Sequence, residues 1–147
     1  MENLTGTIYD VFGREPKDPS QYGPLALAYI GDNVYELVNR TTVLCEGDRK
    51  VRDLHALCSM KAKASTQARM ALLLSPDFTE EEKAVYRRGR NAEVYTKAKN
   101  ASITEYHEAT GLEAVIGFLY LSGRYERLVT LLKTGWEKAF GEGSAEN

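Results

Sequence analysis

The stretch Ala26-Leu27-Ala28-Tyr29-Ile30-Gly31-Asp32-Asn33-Val34-Tyr35-Glu36 decides the fold class. With its continuation to Asn39 it sets Leu27, Ile30, Gly31, Val34, Leu37 and Val38 at three- and four-residue spacing, which places them on one side of a helix from Leu25 to Asn39. The other side carries Leu25, Ala28, Tyr29 and Tyr35 and is apolar too, with Asp32 and Glu36 one turn apart among them. A helix that is apolar nearly all round is covered on more than one side, so Asp32 is expected in a packed environment, against other helices or a second subunit.

The flanking sequence continues in the same style. Residues 1–23 hold Gly6, Gly13, Pro16, Pro19 and Gly23, which suits a lead-in with at most a short helical piece. Further helices are expected over Val51 to Ser59 and from about Lys61 to Leu74, where Pro76 stops the run. Thr79 followed by Glu82 reads as a capping box that starts a helix running to about Arg90. Asn91 to Ser102 shows neither helical nor strand period and reads as a loop or irregular turn. Two last helices follow, from about Thr104 or Glu108 to Leu121 and from Tyr125 to Phe140, parted by Ser122-Gly123. No stretch alternates like a strand for long, and no repeat is visible. The expected architecture is all-α, with one domain over 24–140 and a frayed tail at 141–147.

Composition bounds the rest. A chain of 147 residues with 43% hydrophobic and 27% charged residues can bury one core but is short for two domains. Its longest apolar run, near Leu112 to Leu121, is interrupted by Glu113 and is too short to span a membrane. The acidic start MENLTGTIYD lacks the basic and apolar segments of a secretory signal, so a cytoplasmic protein is expected. Cys45 and Cys58 are the only cysteines and His55 and His107 the only histidines, which leaves no zinc-type cluster within one chain. Both cysteines read as reduced core residues. Any metal must therefore be bound by oxygen.

The net charge of −2 argues against indiscriminate coating of nucleic acid. The charge is segregated, however. Lys83, Arg87, Arg88, Arg90, Lys97 and Lys99 stand against Glu93 alone between residues 83 and 99, while acids gather at Glu80, Glu81 and Glu82. Such a segment suits phosphate contact, and equally a solvated charged face. Two acids stand out because their surroundings are apolar. Asp32 is one, and Glu113, sharing a helical face with Ala109, Ile116, Gly117 and Tyr120, is the other. An ionised carboxylate so placed costs several kcal/mol without a cation or good donors. Convergence of Asp32 and Glu113 on a hard cation such as Mg²⁺ is one reading. The other makes Asp32 a helix cap, Glu36 a solvated neighbour and Glu113 a structural partner of Arg124 or of a basic residue elsewhere.

Four blocks in order tip that balance. The Ala26–Glu36 stretch resembles the signature helix of ribonuclease III domains, most closely that of the short branch called Mini-ribonuclease III. Asp53-Leu54-His55 leading to Lys63-Ala64-Ser65-Thr66-Gln67-Ala68, then Arg87-Arg88-Gly89-Arg90-Asn91-Ala92, then Thr110-Gly111-Leu112-Glu113 through Leu121 resemble further blocks of that branch. The resemblance covers roughly residues 20–135. It implies that Asp32 and Glu113 ligate Mg²⁺, with Mn²⁺ able to substitute, and cut double-stranded RNA to leave 5′ phosphates. Ala28 and Thr110 stand where full-length ribonuclease III enzymes place acids, a simplification the short branch shares. Glu36 is then a candidate outer-shell helper. The resemblance also implies a homodimer whose catalytic body grips the RNA itself. The candidate contacts are Arg87, Arg88, Arg90, Lys97 and Lys99, with Lys61 and Lys63 weaker, and the branch is associated with maturation of the large-subunit (23S) ribosomal RNA precursor in bacteria. Two rivals are a non-catalytic helical RNA-binding or ribosome-assembly dimer and an all-helical nucleoside-triphosphate pyrophosphatase. The first does not need Asp32 and Glu113 together, and the second wants several acids at helical spacing on one face.

Overall fold

The computed structural model describes residues 3–92 and 102–141, which form seven α-helices and no strand. They are α1 (Leu4–Phe12), α2 (Pro24–Glu46), α3 (Val51–Ala62), α4 (Ala64–Leu74), α5 (Glu80–Arg90), α6 (Ile103–Leu121) and α7 (Tyr125–Phe140). The tail from 142 onward and most of the Asn91–Ser102 segment, including Lys97 and Lys99, lie outside the described residues. Among the described residues no helix is long and apolar enough to cross a membrane.

Helix α6 is the axis of the fold. It is buried from Ala109 to Leu119 at every position but Glu113, and it packs against α2, α4, α5 and α7. A helix this apolar has no stable existence outside a bundle, so its neighbours are arranged around it. The core joins Leu27, Tyr35, Met70, Leu74, Leu112, Ile116, Leu119, Leu131 and Leu132. Burying such side chains stabilises by about 1.5–3 kcal/mol each.

Local signals explain most boundaries. Pro24 opens α2 at its first turn, where a missing N–H costs nothing. Thr79 and Glu82 form the expected capping box. Ser102 and Glu105 form a second one, so α6 starts before Thr104. Helix α2 runs past Asn39 to Glu46 although Thr41, Thr42 and Val43 are poor helix formers. Tertiary contacts hold that extension: Val43 is buried, and Asn39 donates to the Cys58 carbonyl of α3 at 3.0 Å. The break between α3 and α4 falls at Lys63, later than expected, and the Tyr35 hydroxyl donates to the Lys61 carbonyl just before it. Cys58 is buried as expected. Cys45 is exposed, because it sits on the open side of the α2 extension.

Three ion pairs fasten α7 to α5 and the turn before it: Arg124–Glu81, Arg127–Glu82 and Lys138–Asp77. Arg127 grips Glu82 with two N–H donors at 2.8 and 3.0 Å and gives a third bond to the Asp77 carbonyl. Burial alone would push the Glu82 carboxyl up, but the bonds from Arg127 and from the Thr79 backbone outweigh it and hold it below the usual range. The Glu82 side chain is only 1% exposed. Arg127→Met therefore strands a buried carboxylate and is expected to cost about 3 kcal/mol in urea unfolding near neutral pH. A loss below about 1 kcal/mol would show that solvent reaches Glu82.

Candidate active site

Helices α2 and α6 touch backbone to backbone. A Cβ on Gly31 would lie 1.8 Å from the Glu113 carbonyl oxygen, and one on Gly117 would lie 2.0 Å from the Leu27 carbonyl oxygen. Only glycine permits such an approach. The crossing point sits beside Asp32 in one helix and on the turn following Glu113 in the other, so it brings the two carboxyl groups into hydrogen-bonding reach. The packed setting expected for Asp32 holds on that side alone. Its other side is open, and Asp32 is exposed while Glu113 is half-buried. Desolvation, the hydrogen bond with Asp32 and repulsion from the Asp32 charge together push the Glu113 carboxyl up to about 8. Near neutral pH the Glu113 carboxyl thus keeps its proton, which a cation bound there would have to displace.

Two of the structural alternatives, the cap at Asp32 and the Arg124 partner for Glu113, are not what the structure shows. Asp32 lies in the interior of α2 and caps nothing, and Arg124 pairs with Glu81 at 2.6 Å rather than with Glu113. Glu36 is turned to its own helix. It accepts from Asn39 at 3.1 Å and pairs with Arg40 at 3.4 Å. Among the described residues no group of three or more His, Cys, Asp or Glu side chains stands ready for a metal. The donor set is one exposed and one half-buried carboxylate. That suits a hard divalent cation that keeps most of its water.

Helix α5 crosses α6 one turn before Glu113, again through glycine. A Cβ on Gly89 would meet Ala114 at 2.8 Å, and one on Gly111 would meet the Tyr86 ring at 2.7 Å. This crossing carries the basic segment to α6, beside Glu113. Arg88 is exposed and donates to the Tyr22 carbonyl at 3.3 Å, just ahead of α2. Arg87 is exposed and Arg90 half-buried. Lys61 is drawn aside, its ammonium 4.7 Å from the centre of the Trp136 ring, and Lys63 is exposed at the α3–α4 break. Tyr35 is buried and Tyr120 half-buried, but Tyr29, on an equally apolar face, is 77% exposed. With Leu25, Leu37 and Leu44 it leaves an open apolar stripe on α2. Replacing Arg87, Arg88 and Arg90 together with alanine is expected to weaken duplex RNA binding and to lower the slope of log affinity against log salt by about 2–3. An unchanged slope in filter binding would place the RNA elsewhere.

Several features of the crossing were invisible as function in the sequence. Gly31 and Gly117 read only as members of helical faces, and their close approach needs the partner helix to be known. Tyr86 carried no such signal either, since it reads as core.

Comparison with known proteins finds relatives along most of the chain. The model of the Ribonuclease III domain matches residues 25–124, which include both carboxylates and the α5 arginines. A Mini-ribonuclease 3 of Brevibacillus brevis is 40% identical over 126 residues, covering 86% of this chain and 94% of the relative. One from Clostridium tetani is 44% identical over 118 residues, covering 80% and 78%. A crystal structure of a Fusobacterium nucleatum protein superposes with a TM-score of 0.74 at 31% identity, covering 80% of this chain and 96% of that one.

Proposed function

The chain belongs to the ribonuclease III family and is an endoribonuclease of that type, and from this premise we propose that it cuts double-stranded RNA with Mg²⁺ held between Asp32 and Glu113. The observation that carries this reading is the carboxyl pair at the glycine-mediated α2–α6 crossing. Asp32 and Glu113 would hold Mg²⁺, or Mn²⁺ in its place, which when bound would lower the pKa of a water and offset charge on the phosphate and its leaving 3′ oxygen, so that products would carry 5′ phosphates. Asp32, open to solvent, is the group the substrate side reaches first. Glu113, its carbonyl held against α2, fixes the distance between the two carboxylates and releases a proton when the cation is held. Arg87, Arg88 and Arg90 hold the duplex by its phosphates, with Lys97 and Lys99 from the neighbouring segment. A-form RNA offers mainly shape, phosphates and 2′-hydroxyls, so this grip discriminates little by sequence.

The open stripe of Leu25, Tyr29, Leu37 and Leu44 supports a homodimer built across α2, with one site for each RNA strand. Resemblance to the Mini-ribonuclease branch supports the large-subunit ribosomal RNA precursor, in the cytoplasm, as the substrate. Purified protein is expected to sediment as a dimer at micromolar concentration and to cut long duplex RNA only with a divalent cation. Asp32→Asn should bind the duplex like the parent and cut it at least about a thousandfold more slowly. Cutting by that variant at the parental rate would remove Asp32 from the site.

A further inference from the structure

Tyr35 follows Asp32 by three residues on α2 and is fully buried. Its hydroxyl donates to the Lys61 carbonyl in the last turn of α3 and accepts from the Trp136 indole N–H of α7 at 2.9 Å. The two rings meet edge to face, with their centres 5.6 Å apart. Lys61 closes the circuit, because its ammonium lies 4.7 Å from the centre of the Trp136 ring. One phenol oxygen therefore joins α2, α3 and α7. Carbonyls in the last turn of a helix have no partner within it, so the end of α3 is completed by a side chain of α2 rather than by a glycine turn.

Trp136 is a fixed reference for this circuit. Gly135, the residue before it, lets α7 lie close on α4: a Cβ there would come 2.8 Å from the Met70 side chain and 2.9 Å from that of Leu74. On the other side, α2 and α3 are bound to each other a second time, since Asn39 donates to the Cys58 carbonyl at 3.0 Å. The Tyr35–Trp136 bond is the one side-chain hydrogen bond among the described residues that ties either of them to α7.

The glycine crossing of α2 and α6 sets how near those helices lie, but smooth backbone against backbone does not fix rotation about the helix axis. Apolar packing is nearly non-directional, whereas a hydrogen bond depends on angle. Rotation matters at Asp32, which is exposed and meets Glu113 only through its carboxyl. A carboxyl carried about 6 Å from the axis moves about 2 Å when the helix rolls by about 20°. That is more than the displacement of about 1 Å that can cost a hundredfold in rate.

We propose that Tyr35, backed by Trp136, is a positioning residue that sets the roll of α2 and thereby aims the Asp32 carboxyl at Glu113. This rests on the reading of that pair as the cation site. Tyr35→Phe keeps the ring and removes only the oxygen. Binding of Mn²⁺ alone to the full chain, followed by the electron spin resonance of the free ion, is expected to weaken at least about tenfold in this variant. Duplex cleavage at saturating Mg²⁺ should lose at least about tenfold in kcat, while KM for the duplex stays within about twofold because the α5 arginines are untouched. Trp136→Phe removes the indole donor and should act in the same direction, so it carries the comparison by itself if Tyr35→Phe does not fold. The double variant should lose no more Mn²⁺ affinity than Tyr35→Phe alone, because Trp136 acts through the hydroxyl. Leu128→Val, at a buried position near the start of α7, should lower the unfolding midpoint and leave Mn²⁺ binding as it is in the parent.

If Tyr35→Phe melts lower yet binds Mn²⁺ and turns over like the parent, the circuit is core packing and the inference fails. Additive losses in the double variant overturn it too, since the two residues would then act separately. So does a loss of Mn²⁺ affinity in Leu128→Val as large as that in Tyr35→Phe, which would make stability rather than aim the cause. Asp32→Asn separates the two levels: if that variant binds Mn²⁺ like the parent, the cation reading itself falls and this inference falls with it.

Discussion

Gly31→Ala is expected to destabilise the protein by roughly 3 kcal/mol or more and to lower duplex cleavage at least about a hundredfold even where the variant is folded. The added methyl would sit 1.8 Å from the Glu113 carbonyl oxygen and 2.9 Å from the Gly117 nitrogen. Both are backbone atoms inside a helix buried on nearly every side, so no rotamer change relieves the clash. Helices α2 and α6 must separate by more than an ångström, and that displacement acts directly on the Asp32–Glu113 spacing. Gly117→Ala, whose methyl would lie 2.0 Å from the Leu27 carbonyl oxygen, should behave alike. Gly23→Ala is the control, because a Cβ there meets nothing within 4 Å, and it should change stability by no more than about 1 kcal/mol. Urea unfolding and single-turnover cleavage at saturating enzyme check all three. Parental stability and rate for Gly31→Ala would mean that the backbones are not in contact.

What could be read in the sequence follows from this crossing. Glu113 was legible because an acid on an apolar helical face contradicts the cost of burying charge, whereas Asp32, singled out on the same ground, is exposed. The glycines beside them were not, because a glycine within a helix reads only as a weak helix former until its neighbour is known. The helical ends show the same division. Thr79 with Glu82 announced α5 through a purely local device, and Ser102 with Glu105 carried the same signal for α6 but stood at the edge of an irregular, basic stretch. The end of α2 at Glu46 was hidden, since Thr41, Thr42 and Val43 argue against helix and only contacts with α3 overrule them. Surface and core were hardest to separate on α2, where Tyr35 is buried, Tyr29 is open and both belong to a face that reads as uniformly apolar.

Glu113→Gln turns the carboxyl pair into a measurement of its own purpose. In the metal-free parent, the Glu113 carboxyl titrates at about 8 against an ordinary value near 4.5. A carboxyl whose folded value is raised contributes stability that is complete below the unfolded value and is lost as pH rises through the folded one. Metal-free parent should therefore weaken between about pH 4.5 and 8, while the neutral amide of the variant does not titrate. The full shift caps the difference at roughly 5 kcal/mol, and half-burial reduces it to about 2–3 kcal/mol. The variant should thus melt above the parent at pH 8 and close to it at pH 4.5. Magnesium reverses the order, because a cation bound to the ionised pair stabilises the parent, on the order of 2.7 kcal/mol at a hundredfold excess over its dissociation constant. That gain should grow from pH 6 to pH 9, as protons cease to compete for Glu113. The variant should lose most of it along with duplex cleavage. A variant that melts clearly below the parent at pH 8 without metal, and still gains fully from magnesium, would make Glu113 a structural residue and leave the cation without its inner ligand.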